Sequence, residues 1–309
     1  MIETAIAHLK GMKPILRIQT AMLREMQSFM MKRGFLQIMP VITSKFTDPL
    51  SPDPSSSVIF SPTFEYYSQK LMITQSMILH KQLSLLAADK IFTFSPNVRL
   101  ERKEKNGSGR HAFEFTQMDF EIAYAKMKDV MSLVEDLIIH IIKKVKEECE
   151  NELKILNREI EIPSKPFKVY RYSEVLEKFG SDDTLSSIEK DPLWIIDIKR
   201  EFYDREDESN TGHFLNYDLI LPEGYGEVLS GGEREYKYER IVKRIEELEK
   251  EGRDYSNFRD YIEVAKMGLL KPSAGAGIGV ERLLRFLCGR KHIKEVQLFP
   301  RIPGEEVIF

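Results

Sequence analysis

Apolar residues recur at Ile15, Ile18, Met22, Met26, Phe29 and Met30, the i, i+3, i+4 spacing of a helix that buries one face. That helix is predicted to start at Pro14 and to stop at Gly34. FLQIMPVIT then reads as a strand whose Pro40 suits an edge or an interface better than a sheet centre. Residues 47–57, rich in Pro and Ser, are predicted to form a loop over something. KLMITQS reads as a strand, followed by a helix from about Met77 to Ala88. IFTFSPNVRLE and HAFEFTQMDFEIAYA form two strand-like runs around the charged, glycine-containing KEKNGSGR, a long hairpin. A helix capped by Asp129 is predicted through Val134, Leu137, Ile138, Ile141 and Val145. Residues 150–190 read as charged and irregular, a peripheral insertion. LWIIDIK, NYDLILPEGYGEVLSGG and the run beginning at Gly275 supply further strands, with helices near 234–251, 256–267 and 280–288. Hairpin strands with segregated helices predict an α+β fold built on a largely antiparallel sheet. With no repeat and no boundary, residues 1–309 are read as a single domain.

Composition narrows the function classes. The 309 residues are 42% apolar and 10% aromatic, enough for a sizeable core. A net charge of −3 argues against nucleic-acid binding through a global basic field. Cys149 and Cys288 stand far apart, and no Cys or His spacing suggests zinc. No stretch approaches 18 uncharged apolar residues, so neither a membrane span nor a targeting segment is expected, and the expected location is the reducing cytoplasm.

The chemistry concentrates at two places. GAGIGVERLLRF, from Gly275 to Phe286, has the spacing G-x-G-x-G rather than the dinucleotide spacing G-x-G-x-x-G. By itself it is a tight turn against a sheet, or a site that backbone must approach closely. Strand alternation puts Arg99 and Glu101 on one face of the hairpin, and Phe115, Gln117, Asp119 and Glu121 together on the return strand. Glu114, Thr116, Met118 and Phe120 take the opposite face.

VRLE, GRHAFEFTQMDFE, and GAGIGVER followed by LFPR resemble motifs 2 and 3 of the class II aminoacyl-tRNA synthetases, in particular the aspartyl/asparaginyl group. GFLQIMPVI resembles motif 1, ITQSMILHKQ the QSPQ-x-x-K segment, and DLILPEGYGEVLSGGERE the segment for magnesium and amino acid. The likeness runs from about residue 14 to the end of the chain. It implies a class II synthetase-like antiparallel sheet flanked by helices, with ATP as substrate and Mg²⁺ as cofactor. It implies ATP contacts from Arg99 on the α-phosphate, Glu101 on the adenine edge, Phe115 stacked on adenine, Arg110 and His111 at the outer phosphates, Gly279 against adenosine, and Arg282 on the γ-phosphate. Asp218, Glu227 and Ser230 would hold Mg²⁺, and Ser76, Lys81, Gln117, Asp119 and Arg234 the amino acid. Arg99, Arg282 and Arg234 would carry catalysis, which is in-line attack of a carboxylate on phosphorus. Motif 1 implies a homodimer whose interface includes the helix from Pro14 and the strand around Pro40.

The chain departs from the pattern too. The motif 1 helix begins close to Met1, where the group carries an anticodon-reading domain, so no anticodon recognition is expected. Met77 and Ile78 replace Pro-Gln of the QSPQ segment, and Glu233 stands where a neutral residue is common. Ser273 and Ala276 stand where a histidine and an aromatic are usual, which predicts a roomier pocket. The expected activity is therefore that of the ammonia-using asparagine synthetases related to asparaginyl-tRNA synthetase, an archaeal type: aspartate, ATP and ammonia to asparagine, AMP and diphosphate through β-aspartyl-AMP. A truncated synthetase paralogue that transfers an amino acid to tRNA or protein is the alternative. A non-catalytic regulatory paralogue is the third reading; loss of Arg99, Arg282 or the metal acids would favour it, and all are present.

Overall fold

The computed structural model describes residues 1–50, 58–59 and 61–309. Along the chain it runs α1 (Ile2–Gly11), α2 (Lys13–Lys32), β1 (Leu36–Gln37), β2 (Thr43–Ser44), β3 (Thr63–Tyr66), β4 (Gln69–Ile73), α3 (Ile78–Ser84), β5 (Lys90–Val98) and β6 (Glu114–Ala123). There follow α4 (Met127–Glu148), α5 (Glu150–Ile155), β7 (Lys168–Arg171), α6 (Tyr172–Phe179), α7 (Asp182–Ile188), β8 (Leu193–Ile196), β9 (Asn216–Leu221) and β10 (Gly226–Arg234). The last elements are α8 (Tyr238–Lys250), α9 (Arg259–Lys266), β11 (Ser273–Gly279) and α10 (Val280–Leu287).

The main sheet has the order β1-β5-β6-β11-β10-β9-β8-β7. Its central pairs are antiparallel and only the edge pairs, β1 with β5 and β7 with β8, are parallel. One face is apolar. Phe92, Met118, Phe120, Ala274, Ala276 and Ile278 join the buried stripes of α2 and α4 in the largest core cluster. Strand periodicity then turns Gln117, Asp119, Glu121, Gly275 and Gly277 to the other face. An aromatic cluster of Phe46, Phe202, Tyr203, Tyr255, Phe258 and Tyr261, with side chains from α3 and α8, packs as a separate unit. Ile78 and Leu248 from this cluster line the cavity on the polar face.

Several expectations change. FLQIMPVIT is no continuous strand: β1 and β2 are two residues each, with Pro40 between them, because a proline has no N–H for a ladder. Asp129 is not the cap of α4. Lys126 is, and Asp129 at the third helical position accepts the Lys126 backbone N–H at 2.8 Å. Residues 150–190 are not irregular; they form α5, β7, α6 and α7, with β7 extending the sheet. Charges such as Lys154, Lys168 and Asp183 face solvent while Phe167, Val175 and Leu185 are buried. The glycine run is a strand as expected, β11, and it lies between β6 and β10. Arg99 and Glu101 lie just past the end of β5. Most of the predicted loop, residues 51–57, falls outside the described residues, but Thr47 and Asp48 are buried.

Candidate active site

Two adjoining cavities open on the polar face of the sheet and share Arg99, Gln117, Glu227 and Gly277 in their walls. The larger, about 610 Å³, is lined by Ser76, Lys81, Asp119, Asp218, Ser230 and Arg234. The smaller, about 40 Å³, is lined by Glu101, Arg110, His111, Phe115, Gly279 and Arg282. Together these walls contain every residue to which the resemblance gives a contact with ATP, magnesium or the amino acid.

The smaller cavity is a slot. The Arg99 guanidinium stands 5.1 Å from the centroid of the Phe115 ring and donates through Nε to Gln75 O at 3.0 Å. Glu101 Oε2 is buried without a hydrogen-bond partner, an acceptor suited to an amino-bearing ring edge. Arg282, from the first turn of α10, donates through Nη1 to Glu227 O and Oε1, both at 3.1 Å, and through Nε to Arg110 O at 3.3 Å. Burial lowers its pKa, with Glu227 opposing that shift. Arg110 is ion-paired with Asp183. His111 is held neutral: burial, then the Arg282 and Arg110 charges, push its pKa down to about 3. Glu281 accepts the Thr116 N–H with both oxygens at 3.0 Å, and burial raises its carboxyl to about 7.

The larger cavity holds paired charges. Lys81 Nζ donates to Asp119 Oδ1 and to Ala276 O, both at 2.9 Å, while Asp119 Oδ2 is buried and unpaired. Gln117 Oε1 accepts Asn97 Nδ2 at 3.0 Å, and Ser76 Oγ accepts the Ile78 N–H at 3.3 Å. Arg234 Nε donates to Glu121 Oε1 at 3.1 Å, and Nη2 to Gly275 O at 2.9 Å. Both side chains are almost completely buried, at 2% and 0% exposure.

Asp218 on β9 and Ser230 on β10 are register partners, bridged by the Arg200 guanidinium. Burial lifts the Asp218 carboxyl to about 6, and its Oδ1 has no partner. At Glu227 burial pushes upward, but Arg282, Arg110 and Arg200 outweigh it and the pKa falls. Among the described residues no three His, Cys, Asp or Glu side chains form a metal cage. Mg²⁺ needs only one or two carboxylates beside substrate phosphates. The unpaired Asp218 oxygen, the ionised Glu227 and a cation-bridged Asp218–Ser230 pair fit that requirement.

The glycines of β11 serve packing as well as access. A Cβ on Gly275 would lie 2.2 Å from both Glu121 Oε2 and Phe120 O, and one on Gly277 2.9 Å from Asp119 Oδ1 and Gln117 Nε2. Gly279 is less crowded, its nearest neighbour being Arg282 Cδ at 3.3 Å. The roomier pocket expected at residues 273 and 276 is not found, since neither residue lines either cavity. Ala276 pairs with Phe120 and packs into the apolar core, so its small size does not enlarge the polar cavity. Ser273 lies buried on the polar side of β11, bonded to Glu121 Oε1 at 2.9 Å. Glu233 points elsewhere, accepting the Met127 N–H at the start of α4 at 3.0 Å, where a helix N-terminus favours an anion.

Motif reading missed Asp48, Arg200, Glu201, Tyr203, Asp204 and Arg253, all of which line the larger cavity. For Arg200, Glu201, Tyr203 and Asp204 the available signal was REFYDRED, a dense run of charge around two aromatics; Asp48 and Arg253 lie outside it. Phe202 and Tyr203 anchor it in the aromatic cluster.

The sequence profile of the family described as tRNA synthetases class II (D, K and N) matches residues 6–303. An asparagine–tRNA ligase of Koribacter versatilis is 31% identical over 93% of this chain and 68% of its own length. An aspartate–tRNA(Asp/Asn) ligase of Methanopyrus kandleri is 30% identical over 97% of this chain and 70% of its own. Among solved structures, asparaginyl-tRNA synthetase from Pyrococcus horikoshii complexed with asparaginyl-adenylate superposes with a TM-score of 0.82 at 23% identity, covering 96% of this chain and 70% of that one.

Proposed function

The chain belongs to the class II tRNA synthetases (D, K and N), and from that premise we propose that it adenylates aspartate with ATP and passes the acyl group to ammonia. The observation that carries this reading is the pair of arginines in one cavity, Arg99 toward the nucleotide slot and Arg234 on the floor, with the unpaired Asp119 oxygen also in its wall. That set suits an amino acid with two carboxylates and one ammonium. In this reading the β-carboxylate meets Arg99 and the α-carboxylate meets Arg234, a bidentate task for a guanidinium. Glu101 and Phe115 hold adenine, and Arg282 with Arg110 holds the outer phosphates. Asp218, Glu227 and Ser230 would hold Mg²⁺, which when bound would supply charge neutralisation to the phosphates. The β-carboxylate oxygen attacks the α-phosphorus in line, diphosphate leaves, and Arg99 stabilises the growing negative charge. Ammonia then displaces AMP from the acyl carbon.

The names of the relatives favour a second reading, in which the same adenylate chemistry serves transfer to tRNA. Incubation with aspartate, Mg-ATP and ammonium separates the two. Asparagine, AMP and diphosphate in equal amounts support the first, and β-aspartyl hydroxamate should accumulate when hydroxylamine replaces ammonia. Only α-hydroxamate, or aspartate loaded on tRNA, sinks it.

We also propose a homodimer. The apolar stripe of α2 is spent inside the chain's own core, so that face is not available to a second copy. Leu36, Met39 and Ile42 around Pro40 remain 61%, 86% and 54% exposed and supply an apolar contact surface. A fully active monomer in sedimentation at micromolar concentration contradicts it. No helix among the described residues is long and apolar enough to cross a membrane.

A further inference from the structure

Part of the larger cavity wall is acidic, and the roles assigned above leave it unused. Asp48, Glu201 and Asp204 are each more than nine-tenths buried there. Glu201 is fully committed, to Arg253 and to the Tyr255 hydroxyl at 3.0 Å. The other two are each half satisfied. Asp48 Oδ1 accepts the Tyr203 hydroxyl at 3.0 Å, and Asp204 Oδ2 accepts Asn216 Nδ2 at 3.1 Å. Asp48 Oδ2 accepts no hydrogen bond from any described residue, and the nearest cationic atom to Asp204 Oδ1 is Arg234 Nη1 at 3.9 Å. Of the neighbouring cations, Arg200 bridges Asp218 and Ser230, Arg253 holds Glu201, and Arg99, bonded through Nε to Gln75 O, acts on Asp48 through its charge.

Two buried carboxylates in the wall of a cavity, one with an oxygen that takes no hydrogen bond from a described residue and the other with an oxygen held only by a long ion pair to Arg234, call for a small cation rich in donors. Ammonium has four N–H donors and one charge. We propose that Asp48 and Asp204 bind the ammonium ion that is the second substrate, and that Asp48 takes the proton which must leave before the nitrogen can attack. The inference rests on the aspartate-amidation reading above. Ammonium gives one proton to the Asp48 carboxylate. The lone pair so freed forms the C–N bond at the β-acyl carbon, the bond from that carbon to the AMP oxygen breaks, and AMP leaves with the electron pair. The second proton passes from the new amide nitrogen to the departing phosphate. Burial holds both carboxyls above their ordinary range, and the Asp204 charge adds to this at Asp48, which makes them better proton acceptors.

The same chemistry could instead serve the α-ammonium of aspartate, and the test separates the two sources. Asp48→Asn and Asp204→Asn are assayed as full-length chains, with folding checked by thermal melting. Each should raise the apparent KM for ammonium about tenfold or more, the loss of one charge-assisted hydrogen bond. Aspartate-dependent ATP–diphosphate exchange, which precedes ammonium, should stay near the wild-type rate in both. Hydroxamate formation should also persist, because hydroxylamine is largely uncharged at neutral pH. The acids lie in different segments, so either variant suffices if the other does not fold. A raised KM for aspartate, lost exchange, or an unchanged KM for ammonium overturns the inference. A wild-type chain that shows exchange but makes no asparagine from ammonium overturns the amidation reading itself.

Discussion

Removing Arg234 probes folding and substrate recognition together, and a cycle with Glu121 pulls them apart. In Arg234→Ala the Glu121 carboxylate, with no exposed surface, keeps only the Ser273 hydroxyl at 2.9 Å and Lys81 Nζ at 4.0 Å. Breaking a buried ion pair from one side typically costs about 3–5 kcal/mol, because the remaining charge is left without compensation. The variant should lose stability of that order in urea unfolding at pH 7. Glu121→Leu combined with Arg234→Ala removes both charges, so the double variant should recover about 2 kcal/mol relative to the sum of the single changes. Function should not follow stability. ATP binding persists in both, whereas aspartate-dependent ATP–diphosphate exchange vanishes in both, since Arg99 remains for the β-carboxylate but no guanidinium remains for the α-carboxylate. A loss under about 1 kcal/mol in Arg234→Ala refutes the buried-pair reasoning. Recovery of exchange in the double variant refutes the assignment of Arg234 to the substrate.

Arg99→Ala and Arg282→Ala should each lower the exchange rate by about two orders of magnitude or more while leaving the melting temperature within a few degrees, because each removes charge aimed at developing phosphate charge; near-wild-type exchange places the ATP site elsewhere. Gly275→Ala drives a Cβ to 2.2 Å from Glu121 Oε2 and a backbone oxygen, whereas Gly279→Ala meets only the side chain of Arg282 at 3.3 Å. The first should lose at least the upper part of the about 1–3 kcal/mol usual for overpacking and the second much less, and equal losses in urea unfolding contradict the packing account. Glu281 gives a pH signature. Its folded pKa is raised from 4.5 to about 7, so its stabilising contribution is full below pH 4.5 and is lost as pH rises through 7. Glu281→Gln should therefore gain in melting temperature relative to the parent at pH 8 compared with pH 5, and a difference independent of pH excludes the raised carboxyl.

Local pattern determined a good deal of this protein. The apolar stripes of the helices around Ile18 and Ile138 and the two-residue alternation of FEFTQMDFE are properties of neighbouring residues, so the helices, the central hairpin and its polar face were legible in one dimension. Motif spacing was local in the same sense, and the residues it picked out all reach the two cavities. Pairing partners are not local. That the glycine strand lies at the sheet centre follows from β6 on one side and β10 on the other, and the register between them decides that Ala276 faces the core while Gly275 makes room for Glu121. Glu233 and Arg234 are adjacent in sequence, yet one accepts the first turn of α4 and the other pairs with Glu121, because successive strand residues meet opposite layers that only packing supplies. Asp48, Glu201 and Asp204 carry no motif at all. They converge because two separate segments, pinned by Phe46 and by Phe202 in one aromatic cluster, bring their carboxylates into a common cavity, a meeting set by three-dimensional burial rather than by spacing along the chain.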